Sequence, residues 1–170
     1  MDAGVLVVVA SRHGATREIA DTAADVLRER GAVVDVAAPG EAPGVTGYDA
    51  VIVGSAVYTG HWLPAARAYV ERESRALATR HVWFFSSGLA GQPAAAANSP
   101  HEIAAMVTSV GAHGHRSFRG RLDVSALSFA ERAIIAGARA RAGDHRDLAA
   151  VRRWADEVGD ELVRVSALSA

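Results

Sequence analysis

Residues 5–20 read VLVVVASRHGATREIA, and this stretch decides the fold. Its first six residues are apolar and mostly β-branched. A short run of that kind, without polar alternation, is the pattern of a strand buried on both faces of a parallel sheet. From residue 16 the period changes. Ile19, Ala20, Ala23, Val26 and Leu27 share one face of a helix over residues 16–30, and Gly31 stops it. Between strand and helix lies the loop Ser11-Arg12-His13-Gly14-Ala15-Thr16. A strand that turns through a small polar loop into a helix opens a βαβ unit.

The same alternation continues along the chain. Residues 33–36 form a second strand, and residues 38–47, with two Pro and three Gly, form a loop. The segment AVIVG (50–54) is a third strand, and a polar, aromatic loop follows it. Pro64 opens the next helix, as its first-turn preference predicts, and that helix runs to about residue 78. Val82, Trp83, Phe84 and Phe85 make residues 81–86 the fourth strand. A long loop rich in Ala, Gly and Pro spans 88–100, and residues 103–110 are helical. Residues 113–120 carry a weak fifth strand. Helices are expected at 129–142 and at 148–165, the latter with Val151, Trp154, Val158 and Leu162 at helical spacing. The expectation is one α/β domain over 1–170: a doubly wound, five-stranded parallel sheet in the order 2-1-3-4-5. Ligands of such sheets sit at the carboxyl ends of the strands, here the loops after strands 1, 3 and 4.

Composition narrows the chemistry. The chain has 170 residues, is 50% hydrophobic and 22% charged, and carries a net charge of −1. That balance favours neither nucleic acid nor an anionic membrane. There is no Cys, which removes disulfides, thiolate catalysis and iron–sulfur clusters. There is no Lys either, which removes Schiff-base chemistry and the lysine of P-loop nucleotide sites. No apolar run reaches the ~18 residues of a membrane span, and the N-terminal run is too short for a signal sequence. A cytoplasmic location is the expectation.

Three loops are candidates for binding. Ser11, Arg12, His13, Gly14, Ala15 and Thr16 combine hydroxyls, a glycine for close backbone approach and the N–H groups of a helix start, which together suit a phosphate. The same residues also serve a plain turn with Thr16 as helix cap. Ser55, Ala56, Val57, Tyr58, Thr59 and Gly60 follow strand 3, with His61 and Trp62 beyond them. Tyr58 suits stacking on a flat ring, whereas Trp62 suits the edge of the core. Ser86, Ser87, Gly88, Leu89, Ala90 and Gly91 follow strand 4 and present main-chain groups to a polar ring edge. A phosphate site beside two ring-sized loops points to flavin mononucleotide (FMN). His61 and Tyr58 are candidates for substrate contact. His101, His113, His115 and His145 read as surface residues, with a metal site on one strand face at His113 and His115 as the alternative.

Other users of this fold order are excluded by their own residues. A response-regulator receiver needs acids after strand 1, where Ala10 and Ser11 stand, and a lysine. A dinucleotide fold needs Gly-x-Gly-x-x-Gly after strand 1, and a serine hydrolase needs Gly-x-Ser-x-Gly.

The loop pattern, an apolar strand followed by Ser-x-x-Gly-x-Thr and a helix, resembles the flavodoxin family. The chain is most similar to the menaquinone-dependent protoporphyrinogen oxidases, through SRHGATREIA (11–20), YDAVIVGSAVYTGHW (48–62), FFSSGLAG (84–91), FRGRLD (118–123) and GDHRDLAAVRRWADEV (143–158). Residues 122–142 resemble the helical insertion that splits the last strand in that group. The resemblance implies that residues 11–16 bind the FMN phosphate and that residues 55–60 and 86–91 flank the ring. It implies an oxidoreductase passing electrons between a small organic substrate and a quinone or other soluble acceptor. An electron carrier serving a redox partner protein is the alternative. The candidate loops hold Arg12, His13, Arg17 and His61 and, from residue 11 on, no Asp or Glu before Glu18, which predicts a higher flavin potential than in strongly acidic carriers. The insertion, with Ile134, Ile135 and several Arg, leaves peripheral membrane contact open.

Overall fold

The computed structural model describes residues 3–88, 101–137 and 141–168. Leu89, Ala90, Gly91 and the rest of the loop after the fourth strand lie outside the described residues, as does Arg139.

The first strand, β1 (Gly4–Ala10), lies inside the sheet, with a parallel neighbour on each side. Val5, Val7 and Val9 face one core layer, and Leu6, Val8 and Ala10 face the other. The continuous apolar run is thus the consequence of burial on both faces. Helix α1 (Ala15–Glu29) buries Ile19, Ala20, Ala23, Ala24, Val26 and Leu27. It ends in a Schellman motif, with Gly31 N–H on Arg28 O (2.8 Å) and Ala32 N–H on Leu27 O (3.0 Å).

The remaining frame follows in order: β2 (Val33–Ala37), β3 (Ala50–Tyr58), β4 (His61–Trp62), α2 (Pro64–Leu77), β5 (His81–Gly88), α3 (His101–Val110) and β6 (Gly114–Arg119). The parallel strands run β2-β1-β3-β5-β6, and β4 pairs antiparallel with β3. Counting only the parallel strands, this is the expected order 2-1-3-4-5. Helices α2 and α3 cover one face; α1 and the closing helix α5 (Leu148–Leu168) cover the other.

Two readings need correction. The expected loop after Gly54 is a β-hairpin. Strand β3 continues four residues further, with Ser55 paired to Ala10 and Ser86, then turns back so that Tyr58 faces His61. The two-residue turn has positive φ at Thr59 (49°) and Gly60 (80°), the conformation whose twist matches a hairpin. The second correction is the insertion. After β6 come β7 (Arg121–Leu122), a 3₁₀ turn at Val124–Ala126, α4 (Phe129–Gly137) and β8 (Gly143–Asp144), which pairs antiparallel with β7. Arg141 and Ala142, expected to be helical, are not, because the chain must return here to pair with β7.

The insertion is closed by Arg146, whose side chain is 6% exposed. Its guanidinium donates twice to Asp144 (2.8 and 2.6 Å), to Glu18 and to Ala15 O (3.4 Å). Hydrogen bonding from Arg146 lowers both carboxyls, Asp144 from 3.8 to about 2 and Glu18 below 4.5. With folded values depressed, their contribution is complete above about pH 4.5 and is lost as pH falls through about 2. Arg146→Met is expected to cost about 1–2 kcal/mol at pH 7, the partners' exposure discounting a fully buried pair. In denaturant titrations the difference from the parent chain should close between pH 4 and pH 2.

Candidate functional site

Strands β1, β3 and β5 end at one sheet edge, so residues 11–16, the hairpin after β3 and the described end of β5 meet there. Ser11, Arg12, His13, Ala15 and Thr16 line a cavity at this edge. Ala56, Val57 and Tyr58 face it from the hairpin, and Ser87 and Gly88 from the end of β5. The insertion supplies a wall that the sequence reading did not include: Gly120, Arg121, Leu122, Asp123, Ala126 and Leu127.

The first loop is shaped by Gly14, which caps α1 at φ 84° and ψ −17°. Gly14 has no side chain with which to cap the helix, and Thr16 lies inside the helix and is not its cap. The first helical bond runs from Glu18 N–H to Gly14 O (3.0 Å). The N–H groups of Ala15, Thr16 and Arg17 precede it and have no acceptor within the helix. Ser11 Oγ accepts the Gly14 N–H (3.1 Å), and Thr16 is buried at the cavity wall. An uncapped first turn flanked by two hydroxyls is a donor set for an oxyanion.

Other expected residues hold the loops from behind. Ser55 is fully buried; its Oγ accepts the Leu63 N–H (3.0 Å) and donates to Ala56 O (2.8 Å), which fixes the hairpin base. Ser86 Oγ accepts from Trp62 Nε1 (2.7 Å) and donates to His115 Nε2 (2.7 Å). Trp62 is therefore a core residue. Thr59 and Gly60 form the hairpin tip.

His115 is not a surface residue: burial holds its imidazole down at about 4, neutral and able to accept from Ser86. His113 and His115 do not share a face. His113 precedes β6, stacks on Trp83 (4.6 Å) and contacts Glu161 (2.9 Å) on the opposite side of the sheet. Among the described residues no group of His, Asp and Glu is placed to hold a metal ion.

The charge surplus expected of the site is cancelled in three dimensions. Arg17 pairs with Asp21 (2.9 Å) and His61 with Glu102 (3.3 Å). Arg12 Nη1 (3.1 Å), His13 Nε2 (3.0 Å) and Tyr58 OH (3.1 Å) converge on one oxygen of Glu131, from α4. Arg12 also lies over the Tyr58 ring, 4.4 Å from its centroid. Glu131 and Ser128 form a capping box: Ser128 N–H reaches Oε2 (2.8 Å), and Glu131 N–H reaches Ser128 Oγ (3.3 Å). The Ser128 N–H is the main reason that the Glu131 carboxyl stays well below the usual carboxylate range, with His13 and Arg12 adding to it. Burial, then Glu131, pushes the Tyr58 phenol up. Ser128-x-x-Glu131 is visible in sequence as a helix start; its reach to Arg12 is not.

A family model described as flavodoxin domain matches residues 6–149. The chain belongs to the flavodoxin domain family. Membership implies a flavin cofactor, and the donor set at the start of α1 fits the phosphate that a flavin nucleotide would bring. Among curated proteins, this flavodoxin-domain chain is 34% identical over 86 residues to protoporphyrinogen IX dehydrogenase [quinone] of Escherichia coli (strain K12). That match covers 49% of this chain and 48% of the relative, so the chain spans about half the length of the curated relatives it matches. An archaeal flavodoxin structure superposes with a TM-score of 0.64 at 15% identity, covering 94% of this chain and 98% of the other. Rubredoxin oxygen:oxidoreductase from Desulfovibrio gigas superposes with a TM-score of 0.65 at 16% identity, over 98% of this chain and 37% of that one. At these identities the structural likeness concerns the fold. Among the described residues of this flavodoxin-domain chain, no helix is long and apolar enough to cross a membrane.

Proposed function

We propose that this protein binds FMN and is an oxidoreductase that passes electrons between a small organic substrate and a quinone or other soluble acceptor, in the manner of the protoporphyrinogen oxidases. The observation that carries this reading is the cavity in which three strand ends meet the uncapped first turn of α1. The identity to a quinone-linked dehydrogenase supports the reaction class. Ser11, Thr16 and the first-turn N–H groups would hold the phosphate. Ala56, Val57 and Tyr58 would lie on one side of the ring, with Ser87 and Gly88 on the other. Bound flavin supplies the electron transfer; the protein positions it and sets its surroundings. Leu127, Ala126 and Leu122 close the cavity from the insertion and reduce access of water.

An electron carrier is the second reading. The near-complete overlap with an archaeal flavodoxin favours it, over 94% of this chain and 98% of that one. Titration of the apoprotein with FMN, followed by extraction and identification of the bound flavin, tests the cofactor. Quinone reduction assays with organic donors, protoporphyrinogen among them, then separate the readings. Turnover with a quinone is expected; reduction only through a partner protein would establish the carrier.

A further inference from the structure

We propose that Glu131 is an internal anion that holds the insertion against the phosphate loop and is displaced when a phosphate monoester takes its donors. The inference rests on the reading that the loop at the start of α1 receives the FMN phosphate. Three donors from two loops, Arg12 Nη1, His13 Nε2 and Tyr58 OH, meet on a single carboxylate oxygen. Such a constellation recognises an oxyanion, and the structure fills it with the chain's own carboxylate. Both anions would draw on the same two side chains of the phosphate loop. A phosphate monoester carries roughly −1.5 to −2 at neutral pH, against −1 for the carboxylate, and offers three acceptor oxygens. It therefore competes well for an arginine beside a helix start.

Among the described residues, the helix that carries Glu131 has little else to hold it. None of the described residues of α4 is buried, and Phe129 is 91% exposed. The Glu131 contacts are the polar tie between this helix and the sheet edge. Their replacement by phosphate releases α4, so that cofactor loading and the position of the insertion are coupled. Riboflavin has the same ring system without the phosphate and leaves the tie in place.

Glu131→Gln separates these effects. Glutamine keeps the capping box and removes the charge. Fluorescence titrations of the whole chain and of E131Q with FMN and with riboflavin give the affinities, and amide hydrogen exchange over residues 129–137 gives the state of the helix. E131Q is expected to bind FMN about fivefold more tightly, the scale of one partly exposed ionic contact, with riboflavin affinity unchanged. In the parent chain, FMN but not riboflavin should raise exchange in α4 to the level of E131Q. Equal or weaker FMN binding by E131Q, or slower exchange of α4 on loading, overturns the displacement of Glu131 while leaving FMN binding intact. Failure of both proteins to bind FMN overturns the cofactor reading, and the displacement with it.

Discussion

Gly54→Ala is expected to destabilise the protein by about 3 kcal/mol, at the upper end of overpacking effects, and to lower its melting temperature by about 6–12 °C. A β-carbon at this position would stand 2.0 Å from Phe85 Cζ and 2.1 Å from Cε1, well inside contact distance. The ring cannot withdraw easily. Phe85 is fully buried and packs edge-on against Trp154 of α5 at 5.8 Å and against Phe118 at 6.2 Å. Gly54 is itself held in register between Val9 and Phe85, so its backbone has no freedom to shift. Either the sheet bends or the ring leaves its rotamer. The strain is created four residues before Tyr58, on the strand that delivers the hairpin to the cavity. Phe85→Leu in the same chain makes room for the new methyl and should restore part of the loss. A double-mutant cycle by chemical denaturation measures this coupling. A cost below 1 kcal/mol for Gly54→Ala would show that the ring moves freely.

The sequence was most informative where one physical demand dominates. β1 is buried on both faces, so its composition alone identifies it, and α1 must present one apolar face, so its period does. Strand order followed because alternating elements and right-handed crossovers leave few arrangements. β6 was hard to see because it is an edge strand: in GHRSFR only Phe118 is buried, and the pattern has little to alternate. The hairpin was missed for a different reason. Its turn, Thr59-Gly60, lacks the Asn or Asp that usually leads such turns, so Thr59 takes a positive φ against its own preference.

The site was legible in its loops and illegible in its closure. Residues 11–16 and 56–58 announce themselves by composition and position after strands. Asp123 and Leu127, which line the cavity, and Glu131, which bonds three residues that line it, do not, because only the fold of the insertion brings them there. The charge of the loops alone therefore differs from the charge of the folded site. The cations counted in sequence have partners from distant segments: Glu131 for Arg12 and His13, and Glu102 for His61. The opposite end of the sheet shows the same effect, where His81, His113 and Glu161 form a chain at 3.0 and 2.9 Å.

Gly14→Ala is expected to weaken FMN binding about 5- to 30-fold, the equivalent of about 1–2 kcal/mol for holding an alanine in the left-handed region. The substitution is sterically free, since a β-carbon at Gly14 meets nothing within 4 Å. The constraint lies in the backbone, at φ 84°. A residue that relaxes to negative φ turns the peptide and moves the Ala15 and Thr16 N–H groups away from the direction that the loop gives them. The order of variants discriminates between a binding loop and an ordinary helix start. At a helix cap, Asn is at least as good as Gly, and Ala is poor. At a phosphate loop that needs positive φ, Gly is best, Asn is tolerated because it visits that region, and Ala is worst. FMN affinity in the order Gly14, then Gly14→Asn, then Gly14→Ala, with the Asn variant no less stable than the parent, identifies binding as the function of the loop. If affinity instead follows stability through the series, the loop at 11–16 is a turn that starts α1 and nothing more.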